Sequence, residues 1–206
     1  MSPPRLTALL GGVIALWAVM ASPLAALDDQ MLIFHMVQHL LLMTVAAPLI
    51  LLGAPAIMVV RPHPVFCWLA STAVVIGWHV PVVFMLGMHS QAWHIFEHTS
   101  FFVAGLLFWW PVLRPWPRWP RWSVPLYLFL ATLPCDVLSA FLTFCGRVVY
   151  PHYVSGPRLR DMYLSSLGDQ EIAGALMWVW VTFAYLIPAV VVTIQILSPQ
   201  RRAEVV

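Results

Sequence analysis

Two pairs of histidines in this chain are spaced so that each pair can act on one ligand. His35 and His39 stand four residues apart, and so do His94 and His98. Residues with this spacing lie on one face of an α-helix, where two imidazoles can meet the same ion or substrate. Neutral imidazole binds copper, zinc, iron and nickel, and histidines also ligate haem. The pattern therefore predicts a metal, haem or proton-transfer site.

The composition places these histidines in a membrane protein. Of the 206 residues, 62% are hydrophobic and 9% are charged, and the mean hydropathy is +0.87. This composition is typical of polytopic membrane proteins, and continuous apolar runs favour helices over a barrel. A span needs roughly 20 apolar residues. We therefore predict an all-α integral membrane bundle, one domain over 1–206, with about six transmembrane helices at 6–26, 30–53, 65–87, 92–113, 123–145 and 171–197.

The arginines predict the orientation of this bundle. The chain has no lysine, and seven of its ten arginines fall at the N-terminus, in the second and fourth loops and at the C-terminus. Positive charge accumulates on the cytoplasmic side, so we expect both termini in the cytoplasm. Every histidine except His63 then lies toward the periplasm or cell exterior. The net charge of +2 is too small to indicate a nucleic-acid partner.

The first segment fits two interpretations. Residues 1–26 resemble a secretory signal, with Arg5 before an apolar run and small residues near Ala21 to Ala26. The run is nearly twenty residues long and has no clear polar cleavage region before Asp28. We therefore favour its retention as the first span.

Further side chains fall at the same predicted end of the bundle. His79 can supply a fifth imidazole, and the thioethers of Met36 and Met177 shift the choice of metal slightly toward copper. Glu97 can hydrogen-bond a neighbouring histidine and fix its tautomer. Asp169 fits either a helix N-cap or a role near the site.

The cysteines and remaining carboxylates give weaker indications. No Cys-x-x-Cys pair occurs, so Cys67, Cys135 and Cys145 read as buried small hydrophobic residues, with Cys145 best placed to approach a soft metal. No nucleophile constellation, phosphate loop or general-acid pair is evident, and Asp136 reads as a packed polar group. We therefore expect a protein that is not an enzyme.

Several segments resemble, in order, the motifs of the polytopic CtaG-type cytochrome c oxidase assembly family. Together they cover about residues 30–180, and the ordered set is more specific than any single His-x-x-x-His. The matching segments are 35–43, 47–49, 53–55, 78–81, 94–101, 108–111 and 169–178.

The resemblance implies a bacterial inner-membrane protein that assists the maturation of a haem–copper oxidase. A subunit of that oxidase is then its partner and copper its cargo. Two alternatives stay open: a haem-binding redox module with axial histidines from different helices, and a noncatalytic oxidase accessory or scaffold subunit. A homo-oligomer is also left open. The residues carried over as the metal site are His35, His39, His79, His94 and His98, helped by Met36 or Met177.

Overall fold

A computed structural model describes residues 2–21, 26–54, 62–114, 120–155 and 163–198. Within those ranges the chain forms helices and turns but no strand, which confirms the predicted all-α class. A π-helical turn at Leu42–Ala46 joins the second and third α-helices, and a 3-10 turn lies at Pro151–Ser155. The α-helices are α1 (Pro3–Ala21), α2 (Leu32–Leu41), α3 (Ala47–Gly53), α4 (Pro64–His79), α5 (Pro81–Gly87), α6 (Gln91–Leu113), α7 (Ser123–Phe144) and α8 (Ser166–Leu197).

Several of these elements are suited to crossing a membrane. In the described ranges, α1, the continuous stretch Leu32–Gly53, α7 and α8 are long and apolar enough, and the bent pair α4 and α5 is a fifth candidate. Helix α6 has 23 residues, about 34 Å at 1.5 Å per residue, but its first turns carry histidines and a glutamate that lower its hydropathy. The arrangement agrees with a polytopic helical bundle.

The predicted third span, 65–87, consists of two helices that meet at a sharp bend rather than of one continuous helix. Helices α4 and α5 meet at an angle of 84°. Val80 between them has φ −67° and ψ 124°, because the residue before a proline is driven out of the helical region. Pro81 then starts α5, where a missing N–H costs nothing. The bend brings α5 back toward α6.

The outer spans differ from prediction at their ends. Helix α8 begins at Ser166 rather than at residue 171, because the Ser165 hydroxyl accepts a hydrogen bond from the Gly168 N–H at 3.0 Å and caps it. Helix α1 ends at Ala21, and residues 22–25 of the predicted first span lie outside the described ranges.

The centre of the second span is tied to two other helices. Its π-helical turn ends at Ala46, two residues before Pro48, which has no N–H to donate. In this turn the Met43 carbonyl accepts from the Trp109 indole at 2.9 Å, and the Thr44 hydroxyl accepts from Trp180 at 2.8 Å. Helices α6 and α8 are thereby held against the span that carries the first histidine pair.

Small residues set the closest approaches between helices. A Cβ on Gly105 of α6 would come within 2.8 Å of Ala47 and 2.9 Å of the Met43 backbone. Small residues allow this kind of close contact between membrane helices. Helix α6 therefore runs directly along the second span, and the two histidine pairs face each other.

Candidate metal centre

The start of α2 is held by a carboxylate from a distant part of the chain. The Leu32 N–H donates to Oδ2 of Asp169 at 2.7 Å, and the Ile33 N–H donates to Oδ1 at 3.2 Å. The first N–H groups of a helix have no partner within it and favour negative charge. Asp169 therefore caps α2, and of the two interpretations left open for it, capping of its own helix does not apply, because Ser165 caps that helix. This contact positions the helix that carries the first histidine pair.

His35 connects two buried carboxylates. Its Nδ1 is hydrogen-bonded to Oδ1 of Asp28 at 2.7 Å, and its Nε2 lies 3.3 Å from Oε1 of Glu97. All three side chains are buried. If Nδ1–H donates to Asp28, a neutral ring presents a lone pair at Nε2. Carboxylates orient metal-binding histidines in this way, so the contact turns a ligand atom toward Glu97.

His39 brings a second nitrogen to the same carboxylate oxygen. Its Nε2 lies 3.6 Å from Oε1 of Glu97. Among the described residues, neither of these atoms nor Nε2 of His35 has a hydrogen-bond partner. Metal–ligand distances of about 2.0–2.2 Å in a tetrahedral site separate neighbouring ligand atoms by about 3.3–3.6 Å. Both nitrogen–oxygen distances fall in this range, and the three side chains each offer a ligand atom within 4.8 Å of the other two.

His94 extends this group toward the surface. Its Nε2 lies 2.7 Å from Oδ2 of Asp28, although the contact lacks hydrogen-bond alignment. The His94 side chain is 27% exposed, whereas Asp28 is 1% exposed. Asp28, His35 and His94 also lie close enough together to hold an ion. We call Asp28, His35, His39, His94 and Glu97 the histidine–carboxylate cluster, and His94 is its accessible member.

Asp28 gives the cluster a fixed negative charge. Burial alone would raise the pKa of this carboxyl group, but the hydrogen bond with His35, the close contact with His94 and the charges of these two rings when protonated outweigh burial. They hold the pKa of Asp28 well below its ordinary value. A buried carboxylate calls for a cation or several hydrogen-bond donors nearby, so the cluster is suited to binding positive charge.

His98 borders the cluster but has both ring nitrogens engaged. Its ring centroid lies 4.3 Å from that of His94 and 5.2 Å from that of His39. Nδ1 donates to the His94 carbonyl at 2.9 Å, and Nε2 is 2.6 Å from Oε1 of Gln38. In this arrangement His98 packs against the ligands and presents no unoccupied nitrogen.

His79 lies apart from the cluster, beside a small internal cavity of about 30 Å³. Its Nδ1 donates to the Val75 carbonyl at 2.7 Å. Its Nε2 is buried without a hydrogen-bond partner in the described part of the chain. Met36, Met177 and His39 line the same cavity. The structure therefore gathers four of the five predicted imidazoles together and sets the fifth beyond His39.

Sequence reasoning missed Asp28 as a site residue and offered Cys145 as the cysteine best placed to approach a soft metal. Asp28 was noted only where the first apolar run ends, although a carboxylate so close to an intramembrane histidine pair is itself a signal. In the structure the Cys145 Sγ lies 3.3 Å from Nε2 of Gln170 and 3.2 Å from the Arg147 carbonyl, and Cys145 is not among the described residues that group as possible metal ligands. Cys135 lines the cavity instead.

The segment after α7 covers this end of the bundle. The buried Tyr150 hydroxyl donates to the His79 carbonyl at 2.9 Å, and the Tyr150 ring packs 4.2 Å from that of Phe84. Phe84 in turn lies 5.1 Å from the His35 ring. The described part of the segment between α7 and α8 therefore packs against the His35 side of the histidine–carboxylate cluster through Tyr150 and Phe84.

The described residues leave little room for haem between the histidines. Between α2 and α6, the ring centroids of His39 and His98 are 5.2 Å apart and those of His35 and His94 are 5.9 Å apart. The adjoining cavity of about 30 Å³ is far below the roughly 300–1,000 Å³ of sites for larger ligands.

Much of the predicted arginine asymmetry lies outside the described residues. This applies to Arg61, Arg118, Arg158, Arg160, Arg201 and Arg202. Arg5, Arg114, Arg121 and Arg147 lie within the described ranges.

The fold and the cluster define a helical membrane protein with a buried centre of histidines and carboxylates. The chain belongs to the cytochrome c oxidase caa3 assembly factor family, whose model matches residues 1–62 and 60–198. This confirms the resemblance over 30–180 and extends it along most of the chain. Membership implies an oxidase as partner and a lipid bilayer as surroundings. No match was found among curated proteins or solved structures.

Proposed function

We propose that this assembly factor binds copper as cargo at the histidine–carboxylate cluster and delivers it to a haem–copper oxidase subunit. The proposal rests above all on two histidine nitrogens that converge on one carboxylate oxygen. Nε2 of His35 lies 3.3 Å and Nε2 of His39 lies 3.6 Å from Oε1 of Glu97. Three protein ligands leave a fourth position open. An incoming ligand from the client can occupy it, so copper moves by ligand exchange rather than by catalysis.

The surroundings of the cluster favour copper among the metals that imidazole binds. Thioethers prefer copper in its monovalent state, and Met36 and Met177 lie beside His39 at the adjoining cavity. Haem–copper oxidases also require copper for their own centres, which connects this ligand set with the assembly role of the family.

We further propose that the protein resides in a bacterial inner membrane with its cluster toward the periplasm or exterior. Arg5 lies in the first turn of α1, Arg114 follows α6 and Arg121 precedes α7, so six spans that each cross once would bring all three to one side. The cluster lies at the opposite ends, near the starts of α2 and α6. Cytoplasmic enrichment of arginine then assigns both termini to the cytoplasm.

The proposal is tested by metal analysis of detergent-purified protein after copper loading and desalting. We expect about one copper per chain to disappear when both His35 and His39 are changed to alanine, with lower copper content in the client oxidase. The matched control is His89→Ala, which removes an exposed histidine outside the cluster. Equal copper retention in both variants would contradict the proposed site.

Visible spectra of the same samples separate the alternatives. Copper without a Soret band supports delivery, whereas a histidine-dependent Soret band identifies a haem module. If neither copper nor haem is retained and the alanine variants still associate stably with the oxidase, the chain acts as a scaffold.

A further inference from the structure

A second group of ligand atoms surrounds the internal cavity beyond His39. We call this cavity the sulfur-lined chamber. Its volume is about 30 Å³, enough for a water molecule or a single ion but not for an organic ligand. The side chains around it that can ligate a metal are two histidines and four sulfur-containing residues, His39, His79, Met36, Met43, Cys135 and Met177.

Both histidines of the chamber hold nitrogens without hydrogen-bond partners in the described residues. These are Nδ1 and Nε2 of His39 and Nε2 of His79, and the two side chains belong to residues that are 5% and 7% exposed. Leaving such atoms unpaired in an apolar interior is costly. Their presence beside an atom-sized cavity points to an occupant that accepts lone pairs.

The sulfur atoms indicate which kind of occupant fits the chamber. A water molecule can pair with the imidazoles, but thioethers are weak hydrogen-bond acceptors. Thioethers and thiols do bind soft metals, above all monovalent copper. The three methionines are all buried, so they face the interior rather than lipid.

The charge of the lining also selects the ion. No carboxylate is among the residues that line the chamber in the described ranges. An unneutralised divalent ion is much more costly to bury than a monovalent one, because the solvation cost grows with the square of the charge. The chamber thus suits a monovalent soft cation, whereas the histidine–carboxylate cluster carries anionic oxygen ligands.

We propose that the sulfur-lined chamber is a second metal site, selective for Cu(I) and its chemical analogue Ag(I). His39 belongs to the histidine–carboxylate cluster and also lines the chamber. Its imidazole can therefore stay bound to copper while the other ligands change from one site to the other. The identity of the cargo rests on the proposed copper function, but the existence of the chamber site is tested separately. No change in oxidation state is involved, because copper stays Cu(I) throughout the exchange.

The experiment uses Ag(I), which does not change its oxidation state, with the full chain in detergent. The chain is loaded, desalted and examined by metal analysis and by X-ray absorption at the silver edge. We expect sulfur neighbours around silver, and loss of about one silver per chain in the double variant Met43→Leu, Met177→Leu. Methionine-to-leucine changes nearly conserve volume, so the core should still fold. Met85→Leu, at an exposed methionine outside the chamber, is the matched control.

A second variant separates this inference from the proposed function. Glu97→Gln alters the histidine–carboxylate cluster but not the chamber lining, so sulfur-bound silver should persist while cluster copper falls. Absence of bound silver, a shell of nitrogen and oxygen only, or equal silver in the double variant and wild type would overturn the chamber site. Those results leave the proposed function intact if copper still depends on His35. Sulfur-bound silver without His35-dependent copper would instead support the chamber and reject the cluster.

Discussion

The histidine–carboxylate cluster and the sulfur-lined chamber share His39 but present different chemistry. The cluster combines imidazoles with two carboxylates and reaches the surface through His94, which is 27% exposed. The chamber combines imidazoles with sulfur and is lined mainly by buried residues. The two ligand sets are adjacent and share one residue, but one offers hard oxygen ligands and the other soft sulfur ligands. An ion can therefore exchange its ligands stepwise without crossing an apolar region that has no ligands.

Removing the negative charge of Glu97 should distinguish the two regions most strongly. In Glu97→Gln the side chain keeps its shape but loses its anionic oxygen. We expect copper affinity at the cluster to fall by more than about 100-fold, since losing a direct ligand costs more than losing a supporting group. Competition titrations with a copper chelator measure this. Glu171→Gln, at a partly exposed carboxylate on α8, should leave affinity unchanged.

Asp28 should matter less, because it orients His35. Asp28→Asn keeps an acceptor for Nδ1 but removes the charge, and we expect cluster affinity for copper to fall about 10–100-fold. The adjacent Asp29 is exposed and is the natural control through Asp29→Asn. Chelator competition on both variants provides the comparison. If both lose affinity equally, the effect is a general surface-charge effect and the orienting role is rejected.

The sequence predicted the helical membrane class and most span boundaries because apolar runs of membrane length are a strong local signal. Pro81 marks the position of the bend at Val80, but the sequence could not predict its angle of 84° or its direction. Where a helix turns after a proline depends on what it packs against.

Only part of the candidate site could be predicted from the sequence. Spacing identified the histidine pairs, and helix geometry ensured that each pair shares a face. Whether α2 and α6 face each other depends on tertiary contacts such as Gly105 against Met43. Asp169 caps α2 through contacts with Leu32 and Ile33, from which it is separated by 137 and 136 positions in the chain. A single sequence carries no signal for such a contact.

The α2 cap gives a prediction that separates positioning from ligation. Asp169→Asn weakens the acceptor for two buried N–H groups, and we expect a loss of about 1–3 kcal/mol in unfolding free energy. Copper affinity at the cluster should fall several-fold as α2 loosens. Ser165→Ala, which removes the cap of α8 itself, should cost about 1 kcal/mol with affinity unchanged. Denaturation and copper titration of both variants test this, and equal affinity losses would show that Asp169 has no specific effect on α2.

The smallest expected effect comes from a glycine that makes room for Glu97. A Cβ at Gly87 would collide with the Glu97 carboxylate and would lie 3.4 Å from the Trp78 ring. Gly87→Ala should therefore displace the carboxylate from its present position beside His35 and His39 and weaken copper binding at the cluster several-fold. A Cβ at Gly77 meets nothing within 4 Å, so Gly77→Ala should leave copper affinity unchanged while gaining helix stability of roughly 0.5–1 kcal/mol. Silver binding in the chamber should be the same in both variants, because neither glycine lines it. Equal copper affinities for the two alanine variants would mean that Glu97 can shift without consequence, and would remove it from the ligand set.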